Sequence, residues 1–266
     1  MMTECWHDPQ HQQRQQRQQR QRKWFMTYGG PSENYHSAVK RICNEASGFD
    51  VFDEIIGYTE KDLMADSSFW RTHRQFIESN ADRGYGCWLW KSYLTKKTLD
   101  KMNENDLLVY ADAGCFMNND GKARLFEYFD MLNTSAEIGN VSFQMEHLEE
   151  SYTKMDILEW YGANNDPRIM KTGQLVGGIF ILRKCRHTVE LIDRWYDGCC
   201  QYHLIDDSCG TLPNVPMFHA ARNDQSIFSV LRKKYGTISL TDETWFDSDW
   251  YVAGKTYPIW AIRMRH

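Results

Sequence analysis

The sequence predicts an α/β protein, a single domain with a mixed, mostly parallel central sheet flanked by helices. Three observations carry this. Apolar runs of strand length alternate with helical patterns through the first half of the chain, the arrangement that builds βαβ units. One run, Leu107 to Ala111, is apolar throughout, as a strand covered on both faces must be, and it ends in a lone acid, Asp112. The chain of 266 residues is long enough for one large domain with a substantial core.

Residues 10 to 22 are almost entirely Gln and Arg and carry no apolar side chain, so burial cannot offset the entropy of ordering them. Segment 1–23 is expected to be a disordered Gln/Arg-rich tail and 24–266 the folded domain. The arginines of the tail, with Lys23, could touch RNA, an acidic partner or an anionic surface, although such tails are more often passive.

The folded part starts near Trp24 with a short strand, Trp-Phe-Met-Thr-Tyr, closed by Gly29-Gly30-Pro31. A helix follows, with Tyr35, Ala38, Val39, Ile42 and Ala46 at helical spacing. Val51 to Thr59 reads as a second strand, Phe69 to Asn80 as a helix, and a further helix opens near Trp88 after Arg83-Gly84-Tyr85-Gly86. Beyond Asp112, the residues Asn118, Asn119 and Asp120 supply a turn, and Leu125, Phe126, Phe129 and Leu132 mark a helix. Val141 to Gln144 reads as a short strand and Tyr152 to Tyr161 as a helix. Gln174 to Leu182 is a strong strand interrupted by Gly177-Gly178, and Val189, Ile192, Tyr196 and Cys199 keep helical register after it. Residues 203 to 221 read as an irregular loop. A last helix carries Ile227, Phe228, Leu231 and Tyr235, before short strands near 237–240 and 258–262.

A hydrophobic content of 42% with 14% aromatics is that of a soluble globular protein, and the net charge of -5 argues against an electropositive nucleic-acid enzyme. Some of the ten tryptophans and fourteen tyrosines could serve a sugar-binding surface, with core packing the commoner use. No apolar run is long enough for a membrane span and no signal-peptide pattern opens the chain, so a cytoplasmic protein is expected, without nucleic acid as partner. The eight cysteines show no C-x-x-C pair and no zinc-like His spacing, and read as reduced thiols.

An acid at the carboxyl end of a buried parallel strand faces the crevice where such sheets bind ligands, which makes Asp112 the leading candidate. Ala113 and Gly114 after it let a ligand approach the backbone. Gly29 and Gly30 sit where the first strand meets the first helix, where backbone N–H groups can face a nucleotide; a plain Gly-Gly-Pro turn explains them equally well. Lys91 is attached to a helix anchored by Trp88 and Trp90, and a cation so placed could neutralise phosphate or simply be solvated. Gly177-Gly178 inside a strand implies close approach of some group, a bulge or tight packing. Asp224 and Gln225 open the last helix, where Asp224 could be no more than a cap.

The segments Thr27-Tyr28-Gly29-Gly30, Arg83 to Lys91, Tyr110 to Cys115, Gly177-Gly178-Ile179-Phe180 and Asn223-Asp224-Gln225-Ser226 give the chain a resemblance to a family. It resembles the nucleotide-sugar-dependent glycosyltransferases of GT-A fold, of the type found in large DNA viruses and bacterial surface-glycan clusters. The resemblance implies transfer of a sugar from a nucleotide diphosphate donor, UDP- or GDP-linked, to a hydroxyl of a glycan or other acceptor. It places Tyr28 near the base, the Gly29-Gly30 turn, Lys91, Asp112 and Ala113 around the diphosphate, and Gly177-Gly178 against the donor sugar or acceptor. Asp224 with Gln225 would act at the reacting sugar, as the base for the acceptor hydroxyl or as a ligand of the donor sugar.

In that family the strand-end acid belongs to a D-x-D motif that holds Mn²⁺ or Mg²⁺ against the diphosphate. Here Asp112 matches the first acid and Gly114 stands at the second. A metal would then rest on Asp112, the diphosphate, water and a ligand such as His219 or His266, or be dispensable. Three competitors stand beside this reading: a catalytically inactive sugar-nucleotide or glycan-binding relative, which the missing second acid supports; an aspartate-nucleophile phosphatase, suggested by Asp112 after an apolar strand but opposed by Gly114, which cannot be the second acid; and an RNA-binding protein working through its basic tail.

Overall fold

A computed structural model describes residues 20–264. The chain forms the expected α/β domain, with nine strands in two sheets among the described residues: β1 (Lys23–Gly29), β2 (Glu54–Thr59), β3 (Leu107–Ala111), β4 (Phe116–Met117), β5 (Asn140–Leu148), β6 (Gly173–Leu175), β7 (Ile179–Arg183), β8 (Ile238–Thr241) and β9 (Ile259–Trp260). Six longer helices are α1 (Glu33–Gly48), α2 (Ser67–Ser79), α3 (Leu89–Lys101), α4 (Lys122–Thr134), α5 (Arg186–Cys199) and α6 (Asn223–Tyr235).

The main sheet runs β2-β1-β3-β7-β5-β6, with β8 also paired to β5. β1, β2 and β3 are mutually parallel through β1, β7 is antiparallel to both β3 and β5, and β8 is parallel to β5. Five strands therefore share one direction, and β6 and β7 oppose them. Alternation along the strands fills two cores. Met26, Tyr28, Leu108, Tyr110, Phe180 and Leu182 pack on the face covered by α3, α5 and α6. Phe25, Val109, Ile179 and Ile181 pack on the other face with Ile42 of α1 and Leu125 and Phe129 of α4. The short β4–β9 pair joins the C-terminal segment to the loop beyond Asp112.

Several boundaries differ from expectation. β5 runs on to Leu148, because its exposed second half gains a ladder from β6 that no apolar pattern announces. The strand read across Gln174–Leu182 is two strands along one edge of β5, divided where Gly177 and Gly178 leave the ladder. The helix read over 152–161 is two short helices, Glu149–Tyr152 and Met155–Trp160. A helical turn, Tyr202–Ile205, opens the segment read as irregular. The Gln/Arg-rich stretch up to residue 19 lies outside the described residues; of the rest of the segment read as tail, the Arg22 N–H donates to Asp106 and Lys23 opens β1.

One backbone feature shapes the cleft. Five consecutive residues, Gly84, Tyr85, Gly86, Cys87 and Trp88, have φ of 58°, 51°, 88°, 53° and 59°, a full turn of left-handed helix. Each non-glycine residue there costs about 1–2 kcal/mol, so packing must hold the turn. The Cys87 N–H donates to the Arg83 carbonyl at 2.7 Å, the Gly86 N–H to the Asn80 carbonyl at 3.0 Å, and the Trp90 indole to the Gly84 carbonyl at 2.9 Å. Gly86 is required on space as well, since a Cβ would lie 2.8 Å from Ile77 Cγ1. The turn reverses the chain into α3 and sets Tyr85 and Trp88 on the wall of the cleft.

Candidate active site

The parallel strands β1 and β3 end at Gly29 and Ala111, and β7 starts beside them at Ile179, so three loops meet at one edge of the sheet. A cleft of about 1980 Å³ opens there. Its wall is built by Tyr28 to Pro31, the left-handed turn, Asp112 to Cys115, Gly178, Arg222, Gln225 and residues of the C-terminal segment from Thr241 onward. Segments far apart in sequence thus converge where an open α/β sheet binds ligands.

Beneath the wall, α3 delivers Lys91 to a point between two acids. Lys91 Nζ lies 3.1 Å from Asp112 Oδ1 and 3.7 Å from Asp224 Oδ2, and donates to the Gly177 carbonyl at 3.3 Å. Lys91 and Asp224 are both only 3% exposed, whereas the Asp112 side chain is 43% exposed. Lys91 therefore lies behind Asp112, and of the two carboxylates Asp112 is the one that faces the cleft. The Tyr110 hydroxyl donates to the same Asp112 Oδ1 at 2.5 Å. Burial disfavours the Lys91 ammonium, but Asp112 and Asp224 outweigh it and raise its pKa above the ordinary value. Burial of Tyr110, reinforced by Asp112, raises its phenol well above the usual range.

Asp224 is the electrostatic outlier. Its Oδ2 has no hydrogen-bond partner among the described residues, and its carboxyl is pushed up to about 7, by burial first, with Lys91 opposing and Asp112 reinforcing the rise. Asn223 before it holds a left-handed φ of 46°; its amide donates to the Ile205 carbonyl at 2.5 Å, and its oxygen accepts from Arg83 at 3.1 Å. This fixes the first turn of α6, and with it Asp224. Because the folded-state pKa lies above the usual 3.8, the native protein holds this proton more tightly than the unfolded chain does. Stability from Asp224 is full below about pH 4 and is lost as pH rises through about 7. Wild-type protein should melt at a falling midpoint between about pH 5 and about pH 8, with Asp224→Asn giving a flatter profile. Parallel profiles in thermal denaturation would contradict this placement of the charge.

The two glycines of the broken strand are explained by these side chains. A Cβ on Gly178 would stand 2.7 Å from Asp112 Oδ2, and one on Gly177 2.7 Å from Gln225 Cβ. The groups that approach the backbone there belong to the site itself. The Gly178 carbonyl accepts from the Asp112 N–H at 2.8 Å, and the Gly177 N–H donates to Gln225 Oε1 at 2.9 Å. Gln225 Nε2 donates to Gln174 Oε1 at 2.7 Å, and Gln174 Nε2 donates to the buried Glu149 at 3.0 Å, so a polar chain fixes which way the Gln225 amide faces.

On the opposite side, Tyr28 stacks on Trp90 with ring centroids 3.7 Å apart, and burial raises its phenol far above the ordinary range. At Gly29 a Cβ would meet the Tyr35 carbonyl at 2.6 Å, so this glycine lets α1 close on β1, while a Cβ on Gly30 would stand 3.0 Å from the Tyr28 hydroxyl. Ala113 is buried, and its carbonyl accepts from Arg41 at 2.7 Å. Arg83 pairs with Asp207 at 2.7 Å and lies over Trp88 at 5.3 Å.

Two features of the site had no local signature in sequence. The C-terminal segment folds over the Asp112 loop: the Met264 N–H donates to the Gly114 carbonyl at 2.7 Å, and a Cβ on Gly114 would touch Arg263 Cα at 3.4 Å. Arg222, just ahead of α6, also reaches the cleft. As for a divalent metal, no group of three or more His, Cys, Asp or Glu close enough to hold one is present among the described residues. His219 is exposed and its ring lies 5.6 Å from Tyr152, and His266 is outside the described residues. Asp112 offers one carboxylate whose Oδ1 is already held by Lys91 and Tyr110. These side chains do not make a metal cage.

No family model matches the chain, and no curated protein does. Among solved structures, the chain is similar to a glycosyltransferase involved in glycosylation of the major capsid of PBCV-1, at 9% identity and TM-score 0.48, over 89% of this chain and 90% of that one. It is also similar to mouse xyloside xylosyltransferase 1 in its apo form, at 9% identity and TM-score 0.48, over 90% of this chain and 97% of that one. No helix among the described residues is long and apolar enough to cross a membrane.

Proposed function

We propose that the chain is a nucleotide-sugar-dependent glycosyltransferase of GT-A-like fold, moving a sugar from a nucleotide diphosphate donor to an acceptor hydroxyl. The observation that carries the proposal is convergence. The five segments behind the sequence resemblance come from five parts of the chain, yet all reach one cleft or its floor at the strand ends. In the reaction the bond from the anomeric carbon to the diphosphate oxygen breaks and a bond to the acceptor oxygen forms. The diphosphate leaves with the electron pair, and the proton of the acceptor hydroxyl passes to the departing diphosphate or to water.

Roles follow from exposure. Asp112 is the carboxylate that meets substrate, and its open oxygen is placed to accept from hydroxyls of the donor. Lys91 and Asp224 act through it as positioning residues: a buried ammonium shared by two acids holds the Asp112 side chain in one rotamer. Tyr28, the Gly29-Gly30 turn and the aromatic left-handed turn form the remaining walls, suited to a base and to sugar faces.

A thermal-shift panel of UDP-, GDP-, dTDP- and CMP-sugars tests the reading. A diphosphate-linked sugar at about 100 times its Kd should stabilise the fold by about 2.7 kcal/mol, a readable rise in midpoint. A panel in which no diphosphate-linked sugar moves the midpoint would sink the donor assignment.

A further inference from the structure

Among the described residues, those of the cleft form no metal cage to offset the charge of a diphosphate, and the same cleft holds a different source of positive charge. Four Lys and Arg side chains among the described residues line it: Arg83, Lys171, Arg222 and Arg263. Two are committed elsewhere, Arg83 to Asp207 at 2.7 Å and Lys171 to Glu150 at 2.7 Å. Among the described residues, neither Arg222 nor Arg263 pairs with a carboxylate. Arg222 lies on the Tyr152 ring at 4.0 Å, and one guanidinium nitrogen touches Met145 Sδ at 3.3 Å and Gln174 Oε1 at 3.5 Å. Arg263 lies over Trp245 at 5.5 Å and is held in the left-handed region at φ 62°. Its backbone rests on Gly114, where the resemblance would have had the second acid.

Resting on the donor reading above, we infer that Arg222 and Arg263 together bind the diphosphate of the donor and supply the positive charge that a metal held by a second acid would otherwise bring. Two unpaired guanidinium groups on one cleft repel each other, and the Arg263 charge is felt at Arg222, which burial already makes a weaker base than usual. An anion with two phosphate groups relieves that repulsion, and guanidinium matches phosphate oxygens in bidentate fashion. Arg222 also directly precedes α6, thirteen residues long, whose dipole adds positive potential at the same point. Asp112 then contacts hydroxyls of the donor, and Lys91 behind it keeps a carboxylate beside a diphosphate from being a net repulsion.

Calorimetric titration of the full chain with inorganic pyrophosphate, UDP and GDP, in EDTA and again in Mn²⁺, tests this. Wild type is expected to bind pyrophosphate and at least one nucleotide in EDTA. Arg263→Gln should weaken that binding at least tenfold, Arg222→Gln likewise, and Lys at either position should recover part of it. Asp112→Asn should not weaken pyrophosphate binding, since it removes a negative charge. Because Arg222 packs on Tyr152 and could matter for folding, exposed Arg263 carries the test if the Arg222 variant does not fold. Binding seen only in Mn²⁺, with the Gln variants at wild-type affinity, would overturn this inference and leave the donor reading standing. No binding of any probe under either condition would overturn both.

Discussion

Lys91→Met is expected to cost the fold about 3–5 kcal/mol, because removing the shared ammonium strands two carboxylates on a cleft floor where one of them is fully enclosed. Methionine fills nearly the same volume, so the loss reports charge and not a cavity. The sign of its pH dependence is also fixed. With the ammonium gone, Asp224 takes up a proton even more readily, so the cost should shrink as pH is lowered towards about 5. Urea unfolding at about pH 5 and about pH 8 measures both effects. A variant within about 1 kcal/mol of wild type at the higher pH would mean that the Asp112–Lys91–Asp224 arrangement is not formed.

Asp112→Asn should leave the fold close to wild type, as the side chain is half exposed and keeps its size, while lowering kcat/KM for sugar transfer. A hydrogen bond to a charged group contributes about 1.5–3 kcal/mol, which corresponds to a fall of roughly 10- to 100-fold. The loss should be specific to the sugar nucleotide, with binding of bare nucleoside diphosphate spared. Unchanged turnover would remove Asp112 from the mechanism and with it the distinction drawn between the exposed acid and the enclosed one.

The parts of this site that were legible in sequence are those with a local cause. An apolar strand ending in a lone acid is a pattern within nine residues, and Asp112 does sit at the sheet edge. Paired glycines in a strand announced close approach, but the groups that approach, Asp112 and Gln225, come from other elements and could not be named from residues 174–182. Lys91 could be read as a cation on an anchored helix. That it lies behind Asp112 depends on α6 closing from the other side, a long-range fact. The left-handed turn was half visible: Gly84 and Gly86 permit positive φ, while Tyr85, Cys87 and Trp88 adopt it only because tertiary contacts hold them there. Arg222 and Arg263 gave no signal, since an arginine in an irregular segment looks alike whether it meets solvent or a cleft. The fold class was legible because alternation and strand length are themselves local, whereas β5, half exposed, hid its second half from that criterion.

Sugar transfer is read out by the nucleoside diphosphate that the full chain releases from UDP-, GDP- and dTDP-linked sugars, with a mixture of saccharide acceptors and with water alone. Release is expected from at least one donor, faster with acceptors than without, accompanied by a saccharide heavier by one sugar unit in the mass spectrum, and reduced in Asp112→Asn. Release by wild type no faster than by Asp112→Asn across the whole panel, with no heavier saccharide formed, would contradict sugar transfer.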